Sequence, residues 1–425
     1  MNFEYFLKKM IFFYFFWTKN NLQQTRFKTA KKLNKPLNKP QDLKIMSQAT
    51  NNFANMDLSE SLMRGLASKG YDKPTEIQES VIPILLEGRD VIAQAQSGTG
   101  KTCSFLLGCL SKIDTTRPQV QAVIIADSHE LAHQTTAEAK MLGQFMDGFK
   151  TACFVGGRHP GMDKEDLRKG AHLVVGTPGR IEQLVRTKVL NLDGLRICIL
   201  DEADKLLNER GFLDTMQKIF KEIPEGTQFG VFSATLTAKN VETAKEFMTD
   251  PAELLLRRKD VVLRGIKQYY VELDEEDKMD TATDLCDSLK DEVIIVFCNK
   301  KETVQRVAQT LRDRRFSAVD VHSDLSSTEK ENVLWTFKDG RSGVLVTTDA
   351  LARGIDIQHV SVVINYDYPS DHASFIHRVG RAGRFGRKGM AISLLSRRDD
   401  RTHDSLKDFY DVPFHHLPRK MDNLF

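Results

Sequence analysis

From residue 90 onward, short apolar runs recur, and each breaks off into polar or glycine-rich residues. In chain order they read DVIAQA, AVIIA, ACFV, HLVV, ICIL and GVF. After residue 290 the pattern returns as VIIVFC, AVDVH, GVLVTT, VVINYD and GMAISLL. Helix-like patterns fill most of the gaps, as in TCSFLLGCLSKI. Continuous apolar runs of this length are strands buried on both faces, and helices between them imply parallel sheets with crossover connections. Two such sets predict two α/β domains built alike. The charged stretch DPAELLLRRKDVVLRG, residues 250–265, lies between them. The expected organisation is a leader over 1–52, a first domain over 53–252, a linker over 253–265 and a second domain over 266–425.

Parallel sheets bind ligands beyond the carboxyl ends of their strands. The residues that follow the runs are QSGTGKT, DSHELA, GG, TPGR, DEAD and SAT in the first set, and NK, SD, DALARG and YP in the second. The chemically loaded residues thus gather at strand ends rather than along helices.

The stretch AQSGTGKT, residues 95–102, departs from the usual phosphate-loop pattern GxxxxGKS/T only at Ala95. A strand precedes it and a helix follows, which is the context the chemistry needs. Backbone N–H groups over Ser97, Gly98, Thr99, Gly100 and Lys101 can wrap a phosphate at the helix N-terminus. Lys101 would reach the β- and γ-phosphates of ATP, and Thr102 would ligate Mg2+. A bare glycine-rich turn is the alternative. DEAD at 201–204 stands where the opposing carboxylates belong. Asp201 can hold Mg2+ through water, and Glu202 can orient and deprotonate the attacking water. An acidic helix start is the bland alternative. HRVGRAGRFGRKG at 377–389 offers Arg378, Arg381 and Arg384 at every third residue. Two of these guanidinium groups, Arg381 and Arg384, brought from a second domain would act as arginine fingers, so the ATP site would be complete only when the domains close.

Charge is unevenly spread along the 425 residues. Residues 1–52 carry net +8 and the remainder net −5, so nucleic-acid binding by the body requires a local basic groove. Six cysteines form no CxxC pair and are expected to be reduced and buried, in a cytoplasmic or nuclear protein. The apolar run Met10–Trp17 is far short of a membrane span, and no small-residue cleavage site follows it. Residues 18–45 are rich in Lys, Asn, Gln and Pro and read as disordered. Met46 opens a stretch resembling an ordinary protein start, so residues 1–45 are expected to be a mis-called leader. Mass spectrometry of the native N-terminus tests this.

Taken together, the motifs resemble the DEAD-box ATP-dependent RNA helicases over Phe53 to Phe425. The resemblance implies two tandem RecA-like domains joined by a short linker. Residues 70–78, GYDKPTEIQ, resemble the family's adenine-reading segment. By that likeness Gln78 would pair with adenine, Tyr71 would stack near it and Thr75 would support the phosphate loop. Ser233 and Thr235 of SAT would couple hydrolysis to strand separation, with His377 as partner across the cleft. Gly354 and Asp356 would meet ribose and phosphates. The resemblance assigns RNA contacts to Gly156, Gly157, Thr177, Gly179, Arg180, Thr347 and Arg353. Such sugar–phosphate contacts carry no sequence code, so the expected partner is single-stranded RNA or a short duplex of any sequence. Within the family the chain is most similar to the initiation factor 4A subgroup, including its exon-junction paralogue. That implies a monomer with protein partners of initiation-factor or exon-junction type.

Several positions depart from the family. IIADSHELA stands where PTRELA is usual, so Asp127, Ser128 and His129 replace proline, threonine and arginine. A carboxylate near an RNA phosphate repels it, so weaker RNA binding is expected, improving below about pH 6.5 as His129 gains a proton. Ser323 and Ser327 occupy the glycine and glutamine places of HGDxxQ. Lys300 replaces a threonine and is either a phosphate contact or a solvated lysine. The hydrolytic groups are intact. The leading reading is an RNA-stimulated ATPase that unwinds short duplexes locally. The alternatives are an ATP-locked RNA clamp with slow hydrolysis and a DNA-directed or unrelated ATPase.

Overall fold

The computed structural model describes residues 52–96, 98–208, 211–256, 265–349, 360–383, 389–410 and 413–418, with Ser327 described by its backbone alone. The leader expected over 1–45, most of the linker, and the site candidates Ser97, Arg353, Gly354, Asp356 and Arg384 lie outside the described residues. The described residues belong to one compact unit, 50–425.

Among the described residues, fourteen strands form two sheets. The first contains β1 (Val91–Gln94), β2 (Ala122–Ile125), β3 (Thr151–Phe154), β4 (Leu173–Gly176), β5 (Ile197–Asp201), β6 (Gln228–Ser233) and β7 (Ala252–Leu254). The second contains β8 (Ile266–Glu272), β9 (Ile294–Phe297), β10 (Ala318–Val321), β11 (Val344–Thr347), β12 (Val362–Asn365), β13 (Gly389–Leu395) and β14 (Phe414–His416). The spatial orders are β3-β4-β2-β5-β6-β1-β7 and β10-β11-β9-β12-β13-β8-β14. Renumbered within its own lobe, the second order is identical to the first. Described pairings are parallel throughout.

Each sheet is covered on both faces, which is why the apolar runs are continuous. In β1, Val91 and Ala93 pack into one core while Ile92 packs into the opposite one. In β9, Ile295 and Phe297 face one side while Ile294 and Val296 face the other. All the apolar runs expected as strands are strands. Three further strands carry weaker signals. Two residues of β7 lie in the stretch that charge alone assigns to the linker, and this strand pairs with β1 as the edge of the first sheet. The six cysteines are free, and five of them are buried. Among the described residues no helix is long and apolar enough to cross a membrane.

Candidate functional site

The phosphate-loop residues leave the carboxyl end of β1 and enter the helix Lys101–Ser111. Gly98 and Gly100 have φ of 76° and 100°, a left-handed backbone that costs a residue with a Cβ about 1–2 kcal/mol. At Gly100 space is a second constraint, because a Cβ there would stand 2.5 Å from Gln78 Nε2. The Lys101 ammonium donates to the carbonyls of Ala95 (2.6 Å) and Gln96 (3.1 Å). Thr75 Oγ1 donates to the carbonyl of Thr99 at 2.7 Å, so it braces this loop. Gln78 starts the helix Glu76–Glu87 by accepting from the Thr75 N–H at 2.9 Å, and its Nε2 donates to the Gly100 carbonyl at 3.4 Å. The Tyr71 hydroxyl donates to Glu138 at 3.4 Å, and the Lys69 ammonium lies 5.9 Å from the ring centre.

Strand β5 delivers Asp201 to the same end of the sheet, two strands from β1. Burial pushes the Asp201 carboxyl up to about 8. The Glu202 charge adds to the rise, the Lys101 ammonium opposes it and Asp127 adds a smaller increment. Glu202 adopts φ 51°, ψ 50°, a strained left-handed conformation for a residue with a long side chain. Its Oε2 is buried with no hydrogen-bond partner. Buried carboxylate oxygens, with a lysine charge acting on them, are hard oxygen donors of the kind Mg2+ takes.

Asp204 is the hub of the contacts between lobes. It accepts from Ser233 Oγ (2.9 Å) and Thr235 Oγ1 (2.8 Å) at the end of β6. His377 Nε2, from the second lobe, stands 3.4 Å from both Asp204 Oδ2 and Thr235 Oγ1. Burial acts to raise the Asp204 carboxyl, but the His377, Thr235 and Ser233 hydrogen bonds and the His377 charge outweigh it and hold the group below its ordinary range.

The arginines of the second lobe divide their work. Arg378 is only 1% exposed. It binds Asp349 through two nitrogens at 2.6 and 2.7 Å, and reaches the Asp367 carbonyl at 2.7 Å and Asn299 Oδ1 at 2.6 Å. Arg381 is buried next to this frame, its Nε donating to the His377 carbonyl at 3.0 Å.

The expected RNA face is partly redrawn. Gly157 and Gly179 are exposed, with open space where a Cβ would stand, and Thr177 and Gly156 are half-buried nearby. Arg180 is not an exposed phosphate contact. Its guanidinium is buried against Asp163 (2.6 Å), Gln183 (2.7 Å) and the Arg158 carbonyl (2.9 Å), because an acidic side chain at the start of a neighbouring helix claims it. Thr347 is fully buried and donates to the Val321 carbonyl at 3.1 Å. Thr348, the next residue and past the end of β11, is half-buried. Lys300 is exposed at the start of the helix Lys301–Asp313.

The substituted segment after β2 also differs from expectation. Asp127 does not face RNA: its side chain is 5% exposed and pairs with Lys205 at 3.5 Å. His129 does reach the glycine loop, since a Cβ on Gly156 would stand 3.3 Å from its Nε2. Burial lowers the imidazole's pKa from its ordinary value. Glu130 opposes this fall, while His133 and Lys330 of the second lobe add to it. The window for proton uptake therefore lies below pH 6.5.

Comparison with known proteins agrees with this geometry. Residues 75–244 match the DEAD/DEAH box helicase family and residues 277–386 the helicase conserved C-terminal domain. The chain is 41% identical to eukaryotic initiation factor 4A of Drosophila melanogaster, over 88% of this chain and 92% of that protein. It is 40% identical to the ATP-dependent RNA helicase FAL1 of Meyerozyma guilliermondii, over 88% and 94%. Dbp5 of S. cerevisiae bound to RNA and ADP BeF3 superposes with a TM-score of 0.81 at 34% identity, covering 87% of this chain and 96% of that one. A Dbp5 variant bound to Nup159, Gle1, IP6 and ADP covers 85% and 96% at 32% identity, yet reaches only 0.61. With two parallel sheets of one topology, a phosphate loop on the first and identity at this level along most of its length, the chain belongs to the DEAD-box family of ATP-dependent RNA helicases, in its initiation factor 4A-like group.

Proposed function

We propose that the two lobes close on ATP and hold one RNA strand, so that hydrolysis accompanies local opening of short duplexes. The observation that carries this reading is the contact of His377 with Thr235 and Asp204, 142 and 173 residues away in sequence. It ties the second lobe to the segment following Glu202.

In this reading Gln78 reads adenine, Tyr71 packs near it, and Thr75 steadies the loop. Backbone N–H groups over Ser97 to Lys101 cradle the phosphates, and the Lys101 ammonium leaves its carbonyl partners for them. Thr102 and Asp201 would hold Mg2+, which when bound supplies charge neutralisation on the phosphate oxygens. Glu202 orients the attacking water and takes its proton as the water oxygen bonds to the γ-phosphorus and the bond to ADP breaks. Arg381, with Arg384, neutralises charge building on the transferred group, while Gly354 and Asp356 meet the ribose and phosphates. RNA lies along Gly156, Gly157, Thr177, Gly179, Thr348 and Arg353. Arg180 supports that surface from beneath. Contacts to sugar and phosphate make the grip independent of sequence.

The substrate class follows as mRNA, in translation initiation or in processing, with protein partners that set lobe closure. Dbp5, a structural relative, has been solved bound to Gle1 and Nup159. Steady-state ATP hydrolysis with and without single-stranded RNA, beside Glu202→Gln, tests the proposal. Strong stimulation with turnover supports it. RNA retention with a nonhydrolysable ATP analogue and almost no turnover identifies the clamp instead, and equal stimulation by DNA sinks both.

A further inference from the structure

The residues after β2 include a carboxylate, Asp127. Strands β2 and β5 are neighbours, with Ile125 opposite Leu200. Their continuations, Ala126-Asp127 and Asp201-Glu202, therefore leave the sheet side by side. Asp127 is buried at this place, with its partner Lys205 Nζ 3.5 Å from Oδ2. Lys205 belongs to the short helix Ala203–Leu206, which begins straight after Glu202. The Lys205 N–H donates to the Glu202 carbonyl at 3.1 Å, closing the turn that holds Glu202 at φ 51°. A left-handed glutamate persists only where its surroundings over-determine it.

We propose that the Asp127–Lys205 ion pair is a positioning device of the ATPase centre, tying the strained Glu202 turn to the end of β2. The pair is an electrostatic tether between the end of β2 and the short helix that follows Glu202. In this role Asp127 acts through Lys205 on the orientation of Glu202. Lys205 is flexible and its ammonium compact, so the tether holds only while both charges are present. It rests on the function proposed above.

The test is RNA-stimulated ATP hydrolysis by the full chain carrying Asp127→Asn, Lys205→Met, both together, or Lys205→Arg. Misplacing the group that directs the attacking water lowers kcat by roughly ten- to hundredfold in each charge-removing single variant. KM for ATP and the affinity for oligouridine stay at wild-type values, which also shows that the variants fold. The double variant loses no more than either single one, because both remove the same tether. Lys205→Arg retains kcat. The proposal is overturned if Asp127→Asn keeps kcat within about twofold, or if the double loss is the product of the single losses. It is equally overturned if RNA affinity moves while kcat does not, since the carboxylate then acts at the RNA face. Absence of RNA-stimulated hydrolysis in the wild-type chain would sink the helicase reading itself, a result distinct from all of these.

Discussion

The first and second sheets share one strand order, yet their carboxyl ends carry different chemistry. The first lobe presents a glycine-rich loop, buried carboxylates and hydroxyls. The second presents a buried imidazole and guanidinium groups on the helix His372–Val379 and just beyond it. Neither set alone makes a hydrolytic site. A common scaffold carries buried carboxylates on one copy and buried imidazole and guanidinium groups on the other, and the proposed function has the two sets meet. Fold thus explains where the groups stand, and side-chain chemistry explains which lobe needs which.

The division can be broken most severely at Arg381. Replacing it with alanine should reduce RNA-stimulated kcat by about 10³-fold or more while leaving ATP binding to the first lobe intact, as fluorescent-nucleotide titration would register. Glu202→Gln attacks the other side. It should lower kcat by about 10²–10⁴-fold and preserve RNA retention with a nonhydrolysable analogue. Arg378→Ala sharpens the contrast within the second lobe, because its guanidinium is fully engaged inside that lobe. Loss of this buried pair should cost about 3–5 kcal/mol of stability, seen as a lower melting temperature of the second lobe. His377→Ala should weaken closure by about 1.5–3 kcal/mol, and small-angle scattering with analogue and oligouridine would then report a more extended particle.

The smallest effect concerns pH. His129 has its pKa lowered by burial, so the fold favours its neutral form above pH 6.5 and loses that preference as pH falls through the lowered value. An RNA phosphate favours the protonated form, so affinity should rise only below pH 6.5. The gain is roughly 1 kcal/mol in water-like surroundings, and His129→Gln should abolish it. A pH response beginning well above 6.5 would place the titrating group elsewhere. Glu130, His133 and Lys330 are the neighbours to test next.

Most of the fold was legible because strands buried on both faces must be apolar at every residue. The strands that escaped are those without that constraint. β7 and β14 are three-residue edges, and β8, beside β14, alternates buried with exposed or half-buried positions. The phosphate loop and DEAD were readable because their chemistry is local. Pairings across long sequence separations have no local signature: His377 with Thr235 came only from family resemblance, and His377 with Asp204 only from the structure. Direction was harder than position. Arg180 and Thr347 sit where the motifs put them, but neighbours chosen by the fold turn both inward. Asp127 likewise turns inward to Lys205, a partner with no local signature in the sequence.

The amide that meets the purine and the strap that wraps the triphosphate share a wall, because Gln78 fills the space a Cβ on Gly100 would need and Thr75 is fastened to Thr99. Nothing slack lies between them. Under the proposed function, a purine that draws the amide into register also bears on the strap's shape, so what is bound at one end of the nucleotide is felt at the other.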